Sequence, residues 1–120
     1  PWPTPPEELE NRIARLREPE YLGANVTVPH KEAVRPMLDA FGPWAGRVGA
    51  VNTIVNRNGV LEGHNTDVAG FLRGLREDGE FEASGRHALV VGAGGAARAV
   101  TRWSVRRGQT ARPRSLCIPV

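Results

Sequence analysis

Lysine is nearly absent: the chain of 120 residues carries one, Lys31, against fifteen arginines. Arginine supplies surface charge but keeps its proton under ordinary conditions, so only lysine can offer a titratable ammonium. Cysteine is as scarce, and the lone Cys117 excludes an internal disulfide. No charged-then-apolar leader occurs, and no run of roughly eighteen apolar residues, so the sequence reads as a soluble, cytoplasmic protein without membrane contact. The histidines, His30, His64 and His87, lack the spacing and companions of a metal site, and no metal is expected. Ser84, Ser104 and Ser115 have no nucleophile-elbow context, which argues against a hydrolase.

Charge is divided along the chain. Residues 1–82 hold nine basic against thirteen acidic side chains, whereas residues 83–120 hold seven arginines and no acid. A basic end of this kind can bind nucleic acid, but these arginines have no aromatic interleaving beyond Trp103, so no nucleic-acid partner is expected. The opening Pro-Trp-Pro-Thr-Pro-Pro, without a methionine, reads as the middle of a longer protein.

Periodicity predicts an α/β order. Leu9, Ile13 and Leu16 recur at helical spacing between Pro6 and Arg17, with Thr4 as a cap. Residues 22–28 read as a strand ending at Pro29. Val34, Leu38 and Phe41 give a helical pattern over 30–41, which Pro36 would bend or split, so Lys31 is expected to start a helix just past a strand's carboxyl end. Two strands over 50–57 and 60–64 flank Asn58-Gly59, a strong hairpin signal. Thr66 or Asp67 can then cap a helix with the apolar stripe Val68, Phe71, Leu72 and Leu75, ended by Asp78-Gly79. A polar connection over 80–85 places a domain boundary near it. Strand 87–91, the glycine turn and a helix from about Gly95 to Arg107 begin a dinucleotide-binding unit. From Gly108 the pattern fails: prolines at 113 and 119 and a short apolar remnant do not read as the parallel strand that should follow.

Gly92-Ala93-Gly94-Gly95-Ala96-Ala97 has a physical logic. Gly92 permits the tight turn, Gly94 a close approach of backbone to pyrophosphate, and Ala97 tight helix packing, with the helix amino terminus favouring the anion. A plain glycine-rich turn is the other reading. The acidic residue that would hold the ribose of NAD roughly 20 residues later is missing, and Arg112 or Arg114 could meet the extra phosphate of NADP.

Lys31, Asn52 and Asp67 fall at strand ends or helix starts, positions that can converge on one sheet edge. In hydride reduction of a ketone, charge grows on the carbonyl oxygen. An ammonium can donate to it while a carboxylate orients the lysine and binds a substrate hydroxyl. Each residue also has an ordinary reading: Lys31 as a solvated surface residue, Asp67 as a helix cap, Asn52 and Asn65 as turn residues, Thr27 as a β-branched strand residue.

Asn25-Val26-Thr27-Val28-Pro29-His30-Lys31, Gly49-Ala50-Val51-Asn52-Thr53, Gly63-His64-Asn65-Thr66-Asp67-Val68-Ala69-Gly70-Phe71 and Val91-Gly92-Ala93-Gly94-Gly95-Ala96 stand in one order. Together they resemble shikimate dehydrogenase, from about Pro5 to Gly108. The resemblance implies an NADP-dependent oxidoreductase interconverting 3-dehydroshikimate and shikimate on the way to chorismate and the aromatic amino acids. It makes Lys31 and Asp67 the catalytic pair and gives Thr27 and Asn52 substrate-binding roles. It assigns the NADP diphosphate to the turn Gly92, Ala93, Gly94, Gly95 and Ala96. The expected organisation is a substrate-binding domain over 1–84 and the start of a Rossmann domain over 85–120. The family's amino-terminal Ser-x-Ser segment and its Asn-Arg-Thr segment do not occur here, nor does the returning helix with a substrate-binding Gln. The arginine- and proline-rich run after about Trp103 is what a shifted reading frame in GC-rich coding DNA produces, and little activity is expected of such a chain alone. The alternatives are a non-catalytic ligand- or partner-binding remnant and an NAD-using quinate/shikimate dehydrogenase. The sequence leaves the oligomeric state open.

Overall fold

A computed structural model describes residues 2–81, 87–91, 97 and 115–119. The chain packs as two units, Pro1–Thr66 and Asp67–Val120.

In the first unit a single 3-10 turn, Pro6–Glu8, leads into α1, Leu9–Arg15. Proline suits that entry because the first turn of a helix leaves its N–H groups unpaired in any case. The predicted stripe is the inner face: Leu9, Ile13 and Leu16 are buried, together with Val34, Ala45, Val51, Ile54 and Leu61. Burying each of the larger side chains contributes about 1.5–3 kcal/mol relative to leaving it in water.

A four-stranded sheet lies beside this core, in the order β1-β3-β4-β2. The strands are β1 (Gly23–Asn25), β2 (Ala40–Phe41), β3 (Thr53–Arg57) and β4 (Val60–His64). β1 and β4 run antiparallel to β3, while β2 pairs parallel with β4. The predicted hairpin is present: Asn58 and Gly59 adopt φ of 54° and 87°, the left-handed pair that a two-residue turn between twisted strands requires. Asn56 holds that turn, its Oδ1 accepting from the Gly59 N–H at 2.8 Å and its Nδ2 donating to the Tyr21 carbonyl at 2.9 Å.

Residues 30–41 are not the expected helix. They form turns, a 3-10 turn at Arg35–Met37 and then β2, so Lys31 lies in a turn and starts no helix. The apolar spacing was coincidental: Val34 is fully buried whereas Phe41 is exposed. Pro36 lacks the N–H a helix interior needs. A short helix that periodicity did not reveal, α2 (Pro43–Val48), follows and is ended by Gly49.

Arg17 ties three segments together. Its guanidinium meets Asp39 with both nitrogens, at 2.5 and 3.1 Å, and donates to the carbonyls of Gly59 (2.8 Å) and Met37 (3.2 Å). Asp39 also accepts from the Leu61 N–H at 2.7 Å. The Arg17 hydrogen bond, then that backbone donor, holds the Asp39 carboxyl below its ordinary value. A carboxyl lowered on folding stabilises the fold above its unfolded pKa of about 3.9, and the contribution is lost as pH falls through the lower folded value. Asp39→Asn should therefore unfold more easily than the wild type at neutral pH, the gap closing below about pH 4 in urea titrations. A gap unchanged at low pH would show that the carboxylate's charge plays no part. Both side chains are about two-fifths exposed, so the neutral-pH difference will be modest.

In the second unit α3 spans Asp67–Glu77, as its stripe predicts. Val68 is buried and Phe71, Leu72 and Leu75 half-buried. The Asp78-Gly79 stop also holds: both N–H groups close on the Gly74 carbonyl at 3.0 Å. β5 (His87–Val91) pairs parallel, over all five residues, with β6 (Ser115–Pro119). The carboxyl-terminal apolar remnant is thus a strand after all, a correction to the sequence reading. Pro119 is compatible because it sits at the strand's end, on a two-stranded sheet where every strand has an edge. Packing divides the chain at Thr66, earlier than the polar connection over 80–85 that composition singles out.

Candidate functional site

Backbone hydrogen bonds gather three of the predicted site residues at one end of the first unit's sheet. The segment after β1 turns sharply through a cis Val28–Pro29 bond. The His30 N–H donates to the Thr27 carbonyl at 2.9 Å, and the Val34 N–H to the His30 carbonyl at 3.1 Å. Val34, fully buried, anchors the turn from beneath. His30 anchors it laterally, with Nε2 at 2.7 Å from the Thr4 carbonyl. Since a carbonyl only accepts, Nε2 carries the ring proton. Thr27 is exposed and Lys31 half-buried on this turn.

The same turn is fastened to the segment before β3. Val51 donates its N–H to the Lys31 carbonyl at 2.7 Å, and Val26 donates to the Asn52 carbonyl at 2.8 Å. Asn52 N–H in turn donates to the His64 carbonyl at 3.0 Å. Thr27, Lys31 and Asn52 are therefore held in register by main-chain bonds, and their placement does not rest on side-chain packing alone.

The end of β4 completes the arrangement. Asn65 is buried and donates from Nδ2 to the Ala50 carbonyl at 3.1 Å, the ordinary role for a buried asparagine. Thr66 pairs twice with Asn52: its N–H donates to Oδ1 at 3.0 Å, and its Oγ1 accepts from Nδ2 at 2.9 Å. Thr66 was not among the predicted site residues. Its signals were a helix-cap reading and its position between Asn65 and Asp67, neither of which points to Asn52, because a side-chain pair 14 residues apart leaves no mark on periodicity.

Asp67 is the first residue of α3 and of the second unit, half-buried. An acidic side chain in a helix's first turn is favoured by the helix dipole, so its position agrees with the helix-start reading. The glycine turn Gly92, Ala93, Gly94, Gly95 and Ala96 lies outside the described residues. What flanks it is in place: β5 before it, and Ala97 in helical backbone, 2% exposed. A small buried residue at that third position is what close helix packing in a dinucleotide unit needs. Among the described residues no group of histidine, cysteine and carboxylate side chains could hold a metal, and no helix is long and apolar enough to cross a membrane.

The family model described as the shikimate dehydrogenase substrate binding domain matches residues 1–54. The shikimate dehydrogenase (NADP(+)) of Moorella thermoacetica is 57% identical over 95 residues, 79% of this chain and 32% of that protein. The crystal structure of shikimate 5-dehydrogenase from Thermus thermophilus in complex with shikimate is 40% identical with a TM-score of 0.80, covering 97% of this chain and 43% of that one. The same enzyme with NADP(H) and shikimate gives a TM-score of 0.78 at 40% identity, covering 97% and 42%. Shikimate 5-dehydrogenase of Listeria monocytogenes in complex with shikimate and NAD is 29% identical, with a TM-score of 0.71 over 92% of this chain and 47% of that one. The mixed sheet and its helices form an α/β fold that matches these shikimate dehydrogenase structures. Residues 1–54 match the shikimate dehydrogenase substrate-binding domain, and the chain spans about a third of the length of the curated relatives it is similar to.

Proposed function

We propose that this chain supplies the substrate side, and the first part of the cofactor side, of an NADP-dependent oxidoreductase interconverting 3-dehydroshikimate and shikimate in the cytoplasm. The observation that carries the reading is the main-chain fastening of Thr27, Lys31 and Asn52 at one sheet end, in a chain 57% identical to an NADP-dependent shikimate dehydrogenase. The small molecule is the only partner the reading calls for.

Gly92, Ala93, Gly94, Gly95 and Ala96 would hold the cofactor, whose reduced form, NADPH, would supply the hydride for reduction and whose oxidised form would take it up in the reverse direction. Lys31 meets the substrate oxygen on which negative charge grows and passes it a proton, or takes that proton in the reverse direction. Asp67 accepts a hydrogen bond from a substrate hydroxyl, and Thr27 and Asn52 hold the ring against rotation. Acid–base help of this kind is worth roughly 3–5 kcal/mol of barrier. A second reading, an NAD-using relative, is favoured by the Listeria protein's complex with shikimate and NAD. Comparing NADP with NAD in one assay separates the two.

Calorimetric titration of shikimate into the chain tests the substrate side without turnover. Saturable binding is expected, weakened about tenfold or more in Thr27→Val, which removes a hydroxyl partner while keeping the β-branched shape. Binding of equal strength in wild type and variant would remove Thr27 from the site, and no binding at all would overturn the substrate reading.

A further inference from the structure

Trp2-Pro3-Thr4-Pro5-Pro6 is a stiff arm by composition, because each of its residues either is a proline or precedes one. Proline fixes φ at about −65° and drives the residue before it into extended backbone. Pro5 accordingly has φ of −69° and ψ of 156°. An arm so restricted loses little entropy on being held, and it acts as a spacer, not as a flexible tail. Both its ends are seated on the first unit. The Trp2 ring meets Tyr21 edge-on with 5.4 Å between centroids, and the Arg12 guanidinium lies 5.5 Å from the centre of the Trp2 ring. Arg15 donates to the Tyr21 hydroxyl at 3.2 Å. At the other end Pro6 opens the 3-10 turn that leads into α1. Midway along the arm, the Thr4 carbonyl accepts from His30 Nε2 at 2.7 Å, across 26 positions of the chain.

We propose that His30 is a positioning residue for Lys31, with the proline arm as its fixed strut. This deepens the substrate reading given above and rests on it. His30 and Lys31 are consecutive in a segment of turns, where no helix or strand ladder fixes the backbone. The Val51 N–H holds the Lys31 carbonyl at 2.7 Å, and the His30 side chain ties the preceding residue to the arm. The backbone between those two bonds is held at both ends, which sets Lys31 in place before a ligand arrives. Proton transfer asks for such placement, to within about 0.5 Å of the productive geometry. The bond needs only one thing of the imidazole, a donor at the far ring nitrogen. Glutamine carries an N–H the same number of bonds from Cα and can take over that role. Phenylalanine keeps the ring without a donor, and asparagine keeps a donor that falls one bond short.

Lys31 is the one lysine of the 120-residue chain, so 15N-lysine labelling gives a single backbone amide signal that reports on this position alone. In the wild type its NMR order parameter is expected at about 0.85, the rigid value, with shikimate affinity measured by calorimetry. His30→Phe should lower the order parameter below about 0.6 and weaken shikimate binding about tenfold. His30→Gln should recover both, and His30→Asn neither. A bond that merely stabilises the fold would lower the urea midpoint of His30→Phe yet leave Lys31 rigid in the chains that stay folded. That result, or a glutamine variant no better than the asparagine one, would overturn the proposal. Unchanged affinity in a phenylalanine variant whose Lys31 has loosened would cut the link from His30 to the ligand. Trp2→Ala frees the arm without touching the turn and provides a second route should substitutions at His30 unfold the chain. Lys31 should loosen there too, and an unchanged signal would refute the strut. A wild-type chain that ignores shikimate, while Lys31 loosens in His30→Phe and tightens again in His30→Gln, would sink the substrate reading and support the strut.

Discussion

Gly23→Ala is expected to lower the urea midpoint of the first unit by about 1.5 M or more, followed by far-UV circular dichroism. Gly23 opens β1 with φ of 150°, a backbone region essentially reserved for glycine, and a side chain there costs of order 1–3 kcal/mol. A Cβ at this position would also lie 2.1 Å from the Ile54 carbonyl oxygen and 3.0 Å from its carbon. Backbone atoms cannot swing aside as a flexible side chain can, so β1 must move off β3, at a further cost typical of overpacking, about 1–3 kcal/mol. Together these come to about 3 kcal/mol, a large fraction of the roughly 5–15 kcal/mol that stabilises an ordinary domain. The consequence reaches the site, because β1 carries the turn bearing Thr27 and Lys31. Shikimate binding should weaken with stability. A midpoint within about 0.3 M of the wild type would show that β1 is not held as described.

The contrast between what was legible and what was not follows from which interactions leave periodic traces. α1 and α3 announce themselves through apolar stripes, since a helix on one core face must repeat near 3.6 residues. The hairpin announces itself through Asn58-Gly59, because few residue pairs tolerate two left-handed conformations. The turn at 29–34 was misread because Val34, Leu38 and Phe41 happen to fall at helical spacing, although only Val34 lies in the buried core. β6 was dismissed on its prolines, yet Leu116-Cys117-Ile118 sufficed for a strand that needs only one partner. Within the candidate site, Thr27, Lys31 and Asn52 were singled out through their motifs. The bonds from Val51 to Lys31 and from Val26 to Asn52 were invisible, because main-chain groups carry no sequence identity. Thr66 was missed for a related reason: its pairing with Asn52 depends on how β4 ends beside the start of β3.

In an enzyme completed with the cofactor side that this chain carries only in part, Lys31→Met is expected to cut the proposed shikimate- and NADP-dependent turnover number by 10²–10⁴-fold, roughly 3–5 kcal/mol of barrier, with the KM for NADP unmoved. Methionine matches the length of the lysine stem and leaves the main-chain carbonyl that accepts from Val51, so a loss of rate cannot be charged to the turn coming apart. Lys31→Arg separates two roles that methionine confounds. If the lysine acts only as a fixed positive charge beside the growing oxyanion, arginine should restore most of the rate. If it transfers the proton, arginine should be nearly as slow as methionine, because a guanidinium holds its proton throughout the accessible pH range. The proton-transfer reading expects the second result. Recovery in the arginine variant would reassign Lys31 to electrostatic stabilisation. A methionine variant of wild-type rate would remove it from the chemistry, leaving a chain rich in arginine with its one lysine merely at the surface.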